Sequence, residues 1–165
     1  MEIRKVEEVA ETNLGKGILF AFGGLVAGFA LWIAVIWIIN GGTGGAIGGA
    51  LAAVLGSLIV GGYKKGKGPS GVMGIIVVVI FAVIGAVGVI TLGAGIMIYQ
   101  NGFAHTIFDG VERLFIDFGN RGPAGSAWLR EVIIMSSITV GITVWTMMNN
   151  KKEKAEDLPD LEDLG

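Results

Sequence analysis

Two long stretches of this chain carry no charged side chain at neutral pH. The first runs from Gly17 to Tyr63 and the second from Pro69 to Thr106. Each exceeds the roughly 20 apolar residues that a helix needs to cross the hydrocarbon core of a bilayer. Because backbone groups inside lipid must find their hydrogen bonds within the protein, such stretches fold as helices. We therefore expect an all-α integral membrane protein.

Turn residues and charges divide the chain into four expected spans, which predict a four-helix bundle. The spans cover residues 18–39, 44–63, 71–99 and 127–148. Residues 1–17 form an expected N-terminal arm, and residues 149–165 an acidic tail.

The distribution of Lys and Arg predicts the orientation of these spans. Nine of the 12 Lys and Arg residues lie in the arm, in the loop between spans 2 and 3, and in the tail. Positive segments close to span ends are retained in the cytoplasm. We therefore expect a multi-pass protein of the plasma membrane with both termini in the cytoplasm. Aromatic residues, Trp32 and Tyr63 among them, are expected in belts at the two membrane surfaces.

Small residues recur along the first three spans at helical spacing, although glycine weakens a helix in water. In lipid, helices associate through close van der Waals packing, which small residues permit. The rows are expected to pack within one bundle or between subunits. The predicted packing residues are Gly24, Gly28, Gly44, Gly45, Gly48, Gly49, Ala52, Gly56, Gly85 and Gly88.

The fourth span carries a row of hydroxyl side chains on one side of the helix. The row consists of Ser136, Thr139, Thr143 and Thr146. One interpretation is that each hydroxyl bonds a carbonyl in its own helix or a group on a neighbouring helix. The other is that the row lines a hydrated path. No ionisable residue lies in the middle of any span, which favours the first interpretation.

An amphipathic segment over about residues 103–118 lies between spans 3 and 4. Its apolar residues fall at helical spacing, which predicts an interfacial helix on the outer surface. They are Ile107, Phe108, Val111, Leu114, Phe115 and Phe118.

The residue types that carry catalysis are sparse. The chain has no cysteine and one histidine, so thiolate chemistry and a multi-histidine metal site are excluded. His105 and Asp109 are one turn apart, but a single histidine on a polar helix surface is usually solvated. We expect no enzyme activity, no metal and no cofactor. A net charge of −2 also argues against a nucleic-acid partner.

The run GGYKKGKGPSGVMGII and the later TIFDGVERLFIDF carry a resemblance. Together they resemble a group of small bacterial four-span membrane proteins with no established activity. The matching positions are Tyr63, Gly68, Ser70, Gly74, Ile75 and Ile76. The resemblance extends over residues 18–147, with a shorter outer segment here, and implies a four-span topology only.

Two classes of function follow. The first is a non-enzymatic membrane subunit, embedded in the lipid bilayer, that packs with itself or with another membrane protein. The second is a small oligomeric channel or pore, holin-like or conducting a solute or ion, lined by the hydroxyl row. Four helices enclose too little space for an aqueous path, so the second class requires an oligomer.

The orientation can be tested because the chain has no cysteine of its own. Single Ser70→Cys and Asn120→Cys variants lie in loops predicted on opposite sides of the membrane. An impermeant thiol reagent applied to intact cells should label only the variant at position 120. Labelling only at position 70 would invert the topology, and labelling of both would contradict it.

Overall fold

The computed structural model describes residues 12–39 and 46–156, with the backbone alone at residues 46, 47 and 150–156. Within these ranges every element of regular structure is an α-helix, which confirms the all-α prediction. The helices are α1 (Leu14–Ile39), α2 (Ala46–Lys65), α3 (Val72–Gln100), α4 (Ile107–Gly119) and α5 (Pro123–Glu156).

Three of these helices are long and apolar enough to cross a bilayer. Among the described residues they are Leu14–Ile39, Val72–Gln100 and Pro123–Asn149, and they mark the chain as a membrane protein. Helix α2 is not among them, although its 20 residues would reach across. Its sequence is rich in Gly and Ala and closes on Lys64 and Lys65.

The helix ends differ from the expected spans by four residues or more at three places, one of which is the start of α5 at Pro123 instead of residue 127. Helix α1 begins at Leu14, inside the expected arm, because Asn13 accepts a hydrogen bond from the Lys16 amide at 2.9 Å and caps the helix. Helix α5 continues to Glu156, so the first part of the expected tail is helical. The rest of that arm and tail, residues 1–11 and 157–165, lies outside the described residues.

The four long helices run alternately up and down. Helix α1 contacts α2 and α3, and α5 contacts the same two helices from the other side. Helices α2 and α3 also touch, whereas α1 and α5 make no contact within the described residues. The short helix α4 lies on α3 and α5. We call its end of the molecule the α4 end, and the opposite end, where α1 begins and α2 stops, the lysine end.

Helices α1 and α2 approach each other backbone to backbone through glycine. A Cβ on Gly24 would meet the carbonyl oxygen of Leu58, and a Cβ on Gly62 would meet that of Phe20. At Gly28 it would meet the side chain of Leu55. The two helices can therefore lie this close only because one of them carries glycine at each of these contacts.

The glycines of α3 receive side chains from α1 instead. A Cβ on Gly85 would lie 2.7 Å from Leu25 Cδ1, and one on Gly88 would lie 2.6 Å from Phe29 Cζ. Gly93 takes Ile36 in the same way, at 2.8 Å from its Cδ1. The glycines of α3 thus leave space that large α1 side chains fill. In α2, by contrast, Gly62 allows the two backbones to touch.

Gly23 and Gly24 provide a matched test of the backbone contact. Gly24→Ala should lower the stability of the folded protein by about 1–3 kcal/mol, because the new methyl group would overpack the interface with α2. Gly23→Ala should leave stability unchanged or raise it by up to about 1 kcal/mol, because no heavy atom lies within 4 Å of that site. Thermal unfolding in a mild detergent measures both. Equal effects of the two changes would contradict the contact.

Candidate functional site

The lysine end is built around the side chain of Tyr63, which is fully buried. Its ring is surrounded by glycines: a Cβ on Gly17 would lie 3.0 Å from Cε2, and one on Gly74 would lie 3.2 Å from Cε1. A Cβ on Gly68 would also meet the ring. The hydroxyl donates a hydrogen bond to the Pro69 carbonyl at 3.1 Å.

These contacts bring together positions that the sequence resemblance rests on, and they correct one expectation. Tyr63 was expected in an aromatic belt at the membrane surface, but its ring packs inside the protein. Trp32, expected in the opposite belt, is only 1% exposed and is also a core residue. Both rings fill space between neighbouring helices. The order of residues along the sequence does not show where such space lies.

The turn that follows α2 is fixed by its own backbone. The amide of Gly68 donates to the Tyr63 carbonyl at 3.1 Å, and that of Lys67 donates to the Lys64 carbonyl at 2.8 Å. This is the hydrogen-bond pattern of a Schellman helix end. Lys67 occupies the left-handed position with φ of 56°, where glycine is usual.

The hydroxyl row of α5 points into the protein, towards α2. Thr139 and Thr143 are fully buried, and Ser136 and Thr146 are partly buried. Thr139 Oγ1 donates to the Met135 carbonyl at 2.8 Å. Thr143 Oγ1 and Ser136 Oγ have no hydrogen-bond partner within the described part of the chain.

Gly56 of α2 receives this row. A Cβ there would lie 2.9 Å from Thr143 Oγ1 and 3.2 Å from the Thr139 carbonyl oxygen. Ala52, one turn earlier, is fully buried. The structure thus brings together part of the predicted glycine row and the predicted hydroxyl row, which the sequence had kept as separate features.

The remaining small residues of α2 divide between inside and outside. Gly48 is buried. Gly49, predicted as a packing residue, has no heavy atom within 4 Å of a Cβ, so no described helix of this chain packs against it. Gly48 and Gly49 differ because adjacent residues of a helix point about 100° apart. Packing of Gly49 between subunits stays a prediction. Gly44 and Gly45 lie outside the described residues.

The amphipathic segment forms a shorter helix than expected. Helix α4 begins at Ile107, four residues after the expected start at 103, because Thr106 and Asp109 form a capping box. The Asp109 amide donates to Thr106 Oγ1 at 3.1 Å, and the Thr106 amide donates to Asp109 Oδ2 at 3.0 Å. The Asp109 carboxylate therefore caps the start of α4 through the Thr106 amide.

The apolar side of α4 is only partly covered. Leu114 is buried, and Ile107 and Val111 are partly buried. Phe115 and Phe118 pack edge-on against Trp128 of α5, with ring centroids 5.6 and 5.4 Å apart. Phe108 is 79% exposed.

Two residues that fix α4 escaped the sequence analysis. Gly110 crosses Gly95 of α3, since a Cβ on Gly110 would meet the Gly95 carbonyl. A lone glycine inside an otherwise good helix is the signal that could have indicated this crossing. Asp117 accepts a hydrogen bond from the Gly125 amide at 2.7 Å and so caps α5, whose own N-cap position, Gly122, has no side chain.

An apolar cavity of about 230 Å³ lies beneath α4, between α1, α3 and α5. Met97, Leu114 and Trp128 contribute to its lining, and among the described lining residues only Glu131 is titratable. Among the described residues no three His, Asp or Glu side chains are placed to hold a metal ion.

No family model, no curated protein and no solved structure matches this chain. The resemblance to small four-span proteins therefore stays an expectation from sequence.

The two buried threonines should respond in opposite ways to the same substitution. Thr143→Val should raise stability by about 1 kcal/mol, because it removes a buried hydroxyl that has no partner. Thr139→Val should lower it by about 1 kcal/mol or less, because it removes a bond to the Met135 carbonyl. Thermal unfolding in detergent compares them. A loss of stability in Thr143→Val larger than that in Thr139→Val would contradict the placement of the row.

Proposed function

We propose that this chain is a four-span protein of the plasma membrane, with both termini in the cytoplasm, that acts as a non-enzymatic assembly subunit. It associates with copies of itself through the outer side of α2. The partners are the lipid bilayer and a second copy of the chain, with no nucleic acid and no cofactor.

The position of α2 supports its role as the fourth span. It lies between α1 and α5, both of which are apolar enough to cross a bilayer. It is also antiparallel to α1 and in backbone contact with it. A helix of 20 residues is about 30 Å long, which matches the hydrocarbon thickness. Leaving α2 outside the membrane would separate α1 from its main contact.

The observation that carries the proposal is a row of small residues on the outer side of α2. Gly49, Ala53, Ser57 and Gly61 recur every four residues. Ser57 and Gly61 are exposed, and neither glycine has a heavy atom within 4 Å of a Cβ. The row has the spacing of the small-xxx-small contacts by which membrane helices associate.

The placement of the hydroxyl row favours a subunit over a pore. A pore lined by this row would need Thr139 and Thr143 to face water. In the fold both side chains are buried inside a single chain, with Gly56 against them. Assembly of several copies does not by itself bring these hydroxyls to a shared channel.

The association can be tested by filling the outer row. The purified protein should be larger than a monomer in a mild detergent when its mass is measured by light scattering. The double variant Gly49→Leu/Gly61→Leu should shift it to the monomer without lowering thermal stability, because both positions have open space within the chain.

Gly141→Leu is the matched control. Gly141 is an exposed glycine of α5 with the same open surroundings, so its replacement should leave the mass unchanged. A wild type that is monomeric in detergent and in nanodiscs would contradict the proposal. A solute leak from liposomes that Thr139→Val/Thr143→Val abolishes would favour the pore instead.

A further inference from the structure

The described charges of the chain are separated between its two ends. At the lysine end, residues 12–20, 63–74 and 146–149 contain four lysines and, among the described side chains there, no acid. They are Lys16, Lys64, Lys65 and Lys67. Acids and arginines are mixed at the α4 end. A cluster of four lysines at the end of membrane helices is typical of contact with anionic lipid headgroups.

The fold brings two of these lysines to one cleft. The amide of Asn13 donates to the Lys67 carbonyl at 2.9 Å, which joins the start of α1 to the turn after α2. The same junction is tightened at Gly66, where a Cβ would meet the Lys16 carbonyl oxygen. A cleft of about 340 Å³ results, lined by Thr12, Asn13, Lys16 and Lys67.

The cleft is held in shape before any ligand arrives. Tyr63 is enclosed by glycines and bonded to Pro69, which anchors the turn from below. Lys67 sits at a left-handed position, with φ of 56°, that costs a non-glycine residue about 1 kcal/mol or more. The backbone of the site therefore needs little further ordering when a ligand binds.

The chemistry of the cleft fits a phosphate. Two exposed ammonium groups and the hydroxyl and amide side chains of Thr12 and Asn13 supply donors. The cleft lies beside the first turn of α1, where the helix dipole is positive. Its volume is about ten times that of one water, so a phosphate group can enter with part of its hydration.

The position of the cleft along the helices favours a lipid headgroup over a free phosphate ion. The charge-free stretch of α1 begins directly after Lys16, and that of α2 ends directly before Lys64. The cleft therefore lies where the hydrocarbon ends and the headgroups begin. We infer that it binds the phosphate headgroup of an anionic phospholipid. This inference rests on the membrane placement proposed above but does not require self-association.

Lipid selectivity of the purified protein tests the inference. Native mass spectrometry compares binding of phosphatidylglycerol and phosphatidylcholine with the same acyl chains. Wild type should prefer phosphatidylglycerol, and Lys16→Gln/Lys67→Gln should reduce that preference by about fivefold for each lysine removed. Lys16→Arg/Lys67→Arg keeps the charges and should retain the preference, which separates loss of binding from misfolding.

Arg113→Gln/Arg121→Gln is the matched control, since it removes two cations from the α4 end. Arg121 has the same φ of 56° as Lys67, so the backbone conformation is matched as well. The control should keep the preference. An equal loss in the control would show an effect of net charge alone and would overturn the cleft.

Two further outcomes would also overturn it. A wild type without preference would mean that the cleft is closed to lipid. Full displacement of phosphatidylglycerol by inorganic phosphate would assign the cleft to a soluble anion. A protein that stays soluble without detergent would instead overturn the membrane placement, so the two failures are distinguishable.

Discussion

The close contact between α1 and α2 is the interaction on which the rest of the structure depends. In lipid, burial of apolar side chains gives little drive for association, so helices gain stability mainly by approaching closely. Gly24 and Gly62 allow that approach because each backbone lies against a carbonyl of the other helix. The approach also places Leu55 where it reaches Gly28 of α1 and Gly85 of α3. One glycine contact therefore sets the spacing of three helices.

The same contact determines what happens at the lysine end. Because α1 and α2 remain close to their ends, the turn after α2 reaches the first turn of α1, and Tyr63 is enclosed between them. The lysines there are thus positioned by the packing of α1 against α2.

Much of this fold could be predicted from sequence, because lipid restricts the choices. Charge-free stretches predicted α1 and α3 to within a few residues, and turn residues separated the helices. The end of α5 could not be predicted in this way. Lys, Glu and Ala after Asn149 are good helix formers, but their polar composition predicted a tail instead of a continued helix.

The partner of each glycine could not be predicted either. Gly23 and Gly24, like Gly61 and Gly62, are adjacent small residues that both satisfy four-residue spacing. Only the second of each pair meets another helix. Spacing identifies rows along a helix but not their direction, which depends on where the other helices lie. For the same reason, the contact between the hydroxyl row and Gly56 could not be predicted, since the two are far apart in sequence and adjacent only in the fold.

Helix α2 shows how the inner packing constrains any assembly. One side of it, at Leu55 and Gly62, is occupied by α1, and a second side, at Gly56, is occupied by α5. The third side carries the row that includes Gly49 and Gly61, whose surroundings are open. A helix gains nothing from small residues that face lipid, since lipid chains adapt to any side chain. Because the inner rows are already occupied, the outer row supports the proposed contact with a helix of a second copy.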